Sequence, residues 1–148
     1  PWYVQRNLLT LLAVLAALAD GFSPARFMLH PDARVRREAL KLLLRAPEHR
    51  DAAVVAAMSD RDEGIVQRAL SAALDGCPRA AVPLIMRHVD RAAMPPEILA
   101  LGIRVVGAAR AKGTLDWLLG RVAARGRVLR REKLLPKVAK QEAAAKEA

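Results

Sequence analysis

The chain has 148 residues, the size of one domain or one short repeat array, and 53% of them are apolar. That is enough for a sizeable core and excludes wholesale disorder. Aromatic residues supply only 3%, so the core is built from Ala, Leu and Val, which suit packed helices better than β-sandwiches. A single cysteine, Cys77, excludes an internal disulfide and a cysteine-based zinc site, and it fits a reducing, cytoplasmic setting. The 25 basic against 15 acidic side chains leave a net charge of +10, which favours acidic partners: nucleic acid, an anionic membrane or an acidic protein surface.

The first predicted element holds the longest apolar stretch, Leu8 to Ala19, broken only by Thr10. Its 12 residues fall short of the roughly 20 that a bilayer requires, so no membrane span is expected. Arg6 before it and Ala17-Leu18-Ala19 after it resemble a signal peptide, but Trp2 and Tyr3 stand where a basic region belongs. A buried helix is the expected form. Because it starts at Pro1 rather than Met, the chain is also expected to be a segment of a longer polypeptide. Further along, Asp32 and Asp62 have the character of N-caps ahead of apolar residues at helical spacing. The helices they open are expected to stop near Ala46-Pro47 and Asp75-Gly76. Shorter second helices are predicted over Asp51–Ser59, Arg79–Val89 and Thr114–Ala124, and no segment alternates with period two long enough for a strand. A terminal helix over 127–148, kinked or restarted at Pro136, is expected to act as a cap, and it ends in a low-complexity helix former from Glu142 to Ala148.

These elements repeat. An offset of 30 residues carries Asp32, Val35, Ala39 and Leu40 onto Asp62, Ile65, Ala69 and Leu70. An offset of 33 carries Ile65, Ala69 and Leu70 onto Ile98, Gly102 and Ile103, and Val82, Leu84 and Ile85 onto Leu115, Trp117 and Leu118. Val4 and Leu9 precede Val35 and Leu40 by 31. A two-helix unit cannot bury its apolar face alone, so the units are expected to stack side by side. The predicted fold is all-α, with helix pairs at 1–30, 31–60, 61–93 and 94–124 forming an array over 1–124, followed by a basic cap at 125–148.

Asp32-x-x-Val35-Arg36-x-x-Ala39, the stretch from Cys77 to Ile85 (CPRAAVPLI) and the opening Trp2–Leu8 resemble bacterial HEAT-like repeats of the lyase-associated type. The resemblance covers about 120 residues of the 148. It implies a right-handed α-α superhelix and, most often, protein–protein scaffolding, with a minority of enzymes and nucleic-acid binders. Val66 and Leu99 replace the repeat's Arg, and the pair containing Pro95-Pro96 lacks the leading Asp.

Arg36 falls inside the apolar face of its helix, so it is expected to be half buried and paired with Asp32 or Asp62. Arg34, Arg37, Lys41 and Arg45 form a stripe on the opposite side, with Glu38 among them as a partner for Arg34 or Lys41. In the resemblance the second helices line the concave surface. A binding groove is therefore expected from Val54, Leu84 and Trp117, edged by Arg87, Arg91, Arg121 and Arg125. Trp117 packing against the C-terminal helix is the competing expectation. Residues 121–148 carry nine cations against three carboxylates, suited either to a phosphate-rich polymer or to a soluble cap.

Catalytic motifs are missing. His30, His49 and His88 are scattered, with no H-E-x-x-H, G-x-S-x-G or Gly-rich phosphate loop. Lys112-Gly113-Thr114 lacks the upstream glycine of a P-loop and reads as a turn. Cys77, before Pro78 at an expected helix start, is a weak nucleophile candidate whose place would lower its pKa. No cofactor or metal is expected. The expected function is a non-enzymatic scaffold that binds another protein, or another region of its parent chain, through the concave face. The alternative is nucleic-acid binding through a basic concave face and the basic C-terminal helix, as in HEAT-like DNA glycosylases, with Trp117 beside Asp116 as the one echo of their base-handling residues.

Overall fold

A computed structural model describes residues 1–15, 22–91 and 95–124. Every regular element among them is helical: α1 (Trp2–Leu15), a 3-10 turn (Pro24–Leu29), α2 (Ala33–Arg45), α3 (Pro47–Ala57), α4 (Glu63–Ala73), α5 (Val82–Val89), α6 (Pro96–Ala109) and α7 (114–124). The chain is all-α, as its composition predicts. It divides into two compact units, Pro1–Ala111 and Lys112–Ala148, so α1 to α6 belong to the first and α7 to the second. The division falls at Ala111 rather than at the expected 124. The expected cap at 125–148, and Arg125 with it, lie outside the described residues.

Local chemistry starts and stops these helices. The Asp32 carboxylate accepts from the Arg34 N–H at 2.9 Å, and that of Asp62 accepts from the Ile65 N–H at 3.0 Å, so both aspartates are N-caps. Pro47 and Pro96 open α3 and α6, where a missing N–H costs nothing. As a result α3 begins ahead of the expected Asp51. α5 begins later than the expected Arg79, because turns occupy residues 79–81. The expected second helix of the first pair is reduced to the 3-10 turn, which packs Phe27 and Met28 against Leu9, Val35, Ala39 and Leu42.

Within the first unit the leading helix of each pair packs on the next: α1 on α2, α2 on α4, and α4 on α6. The 3-10 turn and α3 pack on α2, α3 also meets α4, and α5 packs on α6. The α5–α6 approach is close enough to demand glycine, since a Cβ on Gly102 would lie 2.4 Å from Val89 Cγ2. Leu40, Val54, Ile65, Val66, Leu70, Ile85, Val105 and Val106 are sealed in this core. α1 departs from the expected buried helix. Only Leu9 is fully buried, with Trp2, Leu12 and Ala13 partly covered, while Val4, Leu8, Leu11, Val14 and Leu15 stay exposed.

Arg36 is more deeply buried than the expected half, and its partner is Asp60 rather than Asp32 or Asp62. Nε and Nη2 donate to the two Asp60 carboxylate oxygens at 2.8 Å each, and Nη1 donates to the carbonyls of His30 and Pro31 at 2.8 and 2.9 Å. The reason is direction: helical side chains lean toward the N-terminus, which carries this guanidinium to the turns preceding α2 and α4. Asp32 is taken by Arg34, and Asp62 by Arg37. Burial works against the Asp60 carboxylate, yet the Arg36 fork and the Asp62 N–H together hold it below the ordinary carboxylate value. The two turns are built alike. His30 Nδ1 accepts from the Asp32 N–H at 3.0 Å, and Asp60 Oδ1 accepts from the Asp62 N–H at 2.8 Å.

Candidate interaction surfaces

The groove expected from the second helices is only partly present. Val54 is fully buried, because α3 is wedged against both α2 and α4, and it is withdrawn as a contact residue. Leu84 is half-buried, and Arg87 and Arg91 are exposed on and beside α5. In the second unit Trp117 and Arg121 are half-buried, with the Arg121 guanidinium 5.3 Å from the Trp117 ring centre. Leu115, Leu119 and Val122, at helical spacing, lie exposed on α7.

The larger apolar surface lies on α1, where sequence reasoning placed a buried helix. Val4, Leu8, Leu11 and Leu15 follow i, i+4, i+7, i+11 spacing and are 52, 46, 54 and 61% exposed. Shifted by the repeat offset of 31, the first three fall on Val35, Ala39 and Leu42, which are 0, 0 and 5% exposed in the cluster around Leu9. α1 therefore carries outward the face by which α2 receives α1. Leu8 also opens into a shallow apolar cleft of about 530 Å³ shared with Gln5, Arg26, Phe27, Leu29 and His30. Phe27 belongs at once to this cleft and to the buried cluster, so the stripe continues into an existing interface. Arg26 holds a positive charge over that rim, with its guanidinium 4.8 Å from the Phe27 ring centre.

At about 100° per residue Arg6 lies roughly 160° around α1 from Leu8, on another face. There the predicted basic stripe of α2 takes shape, with the expected Glu38–Lys41 pair in place and Arg34 paired to Asp32 rather than Glu38. Arg34 is bound through two contacts to Asp32 at 3.0 and 2.7 Å, and its guanidinium lies 3.3 Å from the Trp2 ring centre. Arg37 grips Asp62 at 3.1 and 2.6 Å, Lys41 reaches Glu38 at 2.6 Å, and Arg45 donates to the Ala13 carbonyl. The Arg34 contact holds the Asp32 carboxyl down at about 2. The Arg37 contact likewise lowers that of Asp62. The Arg37–Asp62, Arg45–Ala13 and Arg34–Trp2 contacts, which reach beyond α2, were invisible to sequence reasoning confined to one helix, although Trp2 at a helix start was a signal.

No catalytic arrangement accompanies these faces among the described residues, and no group of three or more His, Cys, Asp or Glu side chains is placed to hold a metal. Cys77 is not at a helix start, since α5 opens at Val82, and burial raises its pKa instead of lowering it. His88 is buried with both ring nitrogens unpartnered, and burial, with Arg91 nearby, lowers its pKa. Lys112-Gly113-Thr114 is the expected turn, with Gly113 at φ +82°. Among the described residues no helix is long and apolar enough to cross a membrane. Comparison of the chain with protein-family models, curated proteins and solved structures finds no significant match.

Proposed function

We propose that the chain is a non-enzymatic, HEAT-like interaction module, and that the outer face of α1 docks an amphipathic helical hairpin of a partner protein. The observation that carries the reading is the register: Val4, Leu8 and Leu11 are exposed, while their equivalents in α2 are sealed beneath a neighbouring helix. A row of leucines in water is costly, at about 25 cal/mol per Å² of apolar surface, and a hairpin of the same pattern would cover it. Arg26 beside the cleft favours a partner with acidic residues flanking its apolar stripe. The expected concave-face site is retained here only through Leu84, Arg87 and Arg91 of the first unit, and separately through Trp117 and Arg121 of the second.

The test is a photo-crosslinker placed at position 11 of the full chain, with a control crosslinker on exposed Arg104. The reading expects a single helical segment with leucine, valine or alanine at i, i+3/i+4 spacing to be captured from position 11 and not from 104. Val4→Glu/Leu8→Glu, made in the chain that carries the crosslinker, should abolish that capture without lowering Tm, since both side chains are exposed. Equal labelling at both positions refutes the reading.

A further inference from the structure

We propose a second contact on the face of α1 away from the leucine stripe: a cationic cleft across α1, α2 and α4 that binds a carboxylate-rich segment of a partner protein. This inference rests on reading the chain as a protein-binding module and supplies the chemistry of another partner segment.

Arg6 from α1, Arg34, Arg37 and Lys41 from α2, and Gln67 and Arg68 from α4 bound a cleft of about 470 Å³. An adjoining hollow of about 340 Å³ continues past Arg68 to Ser71. The repeat register builds the row, because offsets of 31 and 30 place Arg6, Arg37 and Gln67 at one helical position, and Thr10, Lys41 and Ser71 at the next. Three neighbouring helices thus present polar side chains in line, Arg6, Arg37 and Lys41 among them cationic.

The donors are preorganised. Asp32 and Asp62 each hold one edge of an arginine fork, and Trp2 backs Arg34. The remaining N–H groups of each guanidinium are left at fixed positions, which lowers the entropy lost when a ligand is gripped. Arg68 is exposed and makes no hydrogen bond or ion pair among the described residues, so its full charge is available. Gly64 keeps the floor open. A Cβ there would come within 3.2 Å of Asp62 Oδ1 and 3.5 Å of Arg37 Nη2, crowding the pair that aims Arg37.

Charge decides the class of ligand. Five cations border the cleft, while Glu38, Asp32 and Asp62 return three negative charges, leaving about +2. A polyphosphate backbone draws its affinity from many uncompensated cations, and aromatic platforms for bases are scarce here. Fixed guanidinium edges and a modest surplus charge suit two or more carboxylates held at defined positions.

The probe is fluorescein-labelled hexaglutamate titrated into the full chain at low and at physiological ionic strength, with single-stranded oligothymidylate of equal charge as competitor. Arg6→Glu/Arg68→Glu should weaken peptide binding by about tenfold or more, and Arg79→Glu/Arg104→Glu, which removes the same charge from exposed positions elsewhere, should change it less than about twofold. Arg68→Glu alone, altering one exposed and unpaired side chain, serves if the double variant loses its helical circular dichroism. Equal loss in the two double variants means diffuse attraction and overturns the proposal, as does absence of binding at low ionic strength. Tighter binding of the oligothymidylate, with displacement of the peptide, also overturns it in favour of phosphate recognition. Failure here leaves the position-11 crosslink untouched, and loss of that crosslink leaves hexaglutamate binding untouched.

Discussion

α1 and α2 are written in the same register and live in different surroundings. α2 is covered on several sides, by α1, the 3-10 turn, α3 and α4, whereas α1 packs on α2 and leaves its leucine stripe open. The same position also has two fates: Arg36 in α2 ties two turns together, while its equivalent Gln5 in α1 has a buried Oε1 with no hydrogen-bond partner. Repeat pattern sets which residues are apolar. Neighbours set which of them become core.

The sharpest way to break this comparison is Arg36→Ala. It strands the buried Asp60 carboxylate, and an orphaned buried charge costs about 3–5 kcal/mol, to be read from urea melts. A loss below about 1 kcal/mol would show that the turn is held by something else. Next come the equivalent leucines. Leu42→Ala should cost about 2–5 kcal/mol through cavity formation, and Leu11→Ala no more than about 0.5 kcal/mol, since its side chain already meets water. Similar losses at the two positions would dissolve the distinction between α1 and α2.

Acidity probes the same contrast in two windows. His88 has a folded-state pKa below its ordinary 6.5, so on acidification the unfolded chain takes the proton first. Stability should fall as pH drops below 6.5 toward the lower folded value, and His88→Leu should flatten that window in a pH series of thermal melts. Asp32, Asp60 and Asp62 have depressed pKa values, so their contribution is complete above the ordinary 3.8 and is lost as pH falls through the folded values, near 2 for Asp32. The smallest expected effect is Gln5→Leu. Removing an unpaired buried oxygen should be neutral or raise stability by up to about 1 kcal/mol, measured as a Tm shift.

Much of the fold was legible residue by residue. Asp32 and Asp62 are side chains that cap, Pro47 and Pro96 are residues that open helices, and the core residues Val35 and Leu40 recur as Ile65 and Leu70 at the repeat interval. Those are local signals, carried within a few positions of the chain. The candidate surfaces were less legible. Val54 aligns with Leu84 and Trp117 by offset, yet α3 is turned into the space between α2 and α4, and alignment holds no information about that rotation. The apolar run in α1 was read as buried because hydrophobicity reports a preference for leaving water, not the presence of something to leave it for.

The sequence alone determined the all-helical class, the caps, the repeat interval and the abundance of cations, because each follows from side-chain chemistry acting over one or two helical turns. Only the tertiary structure decided that Arg36 would choose Asp60, that Arg34 would lie on Trp2, and that Leu8 and Leu11 would face water. Those outcomes depend on distances between residues tens of positions apart, which local propensity does not encode and packing fixes.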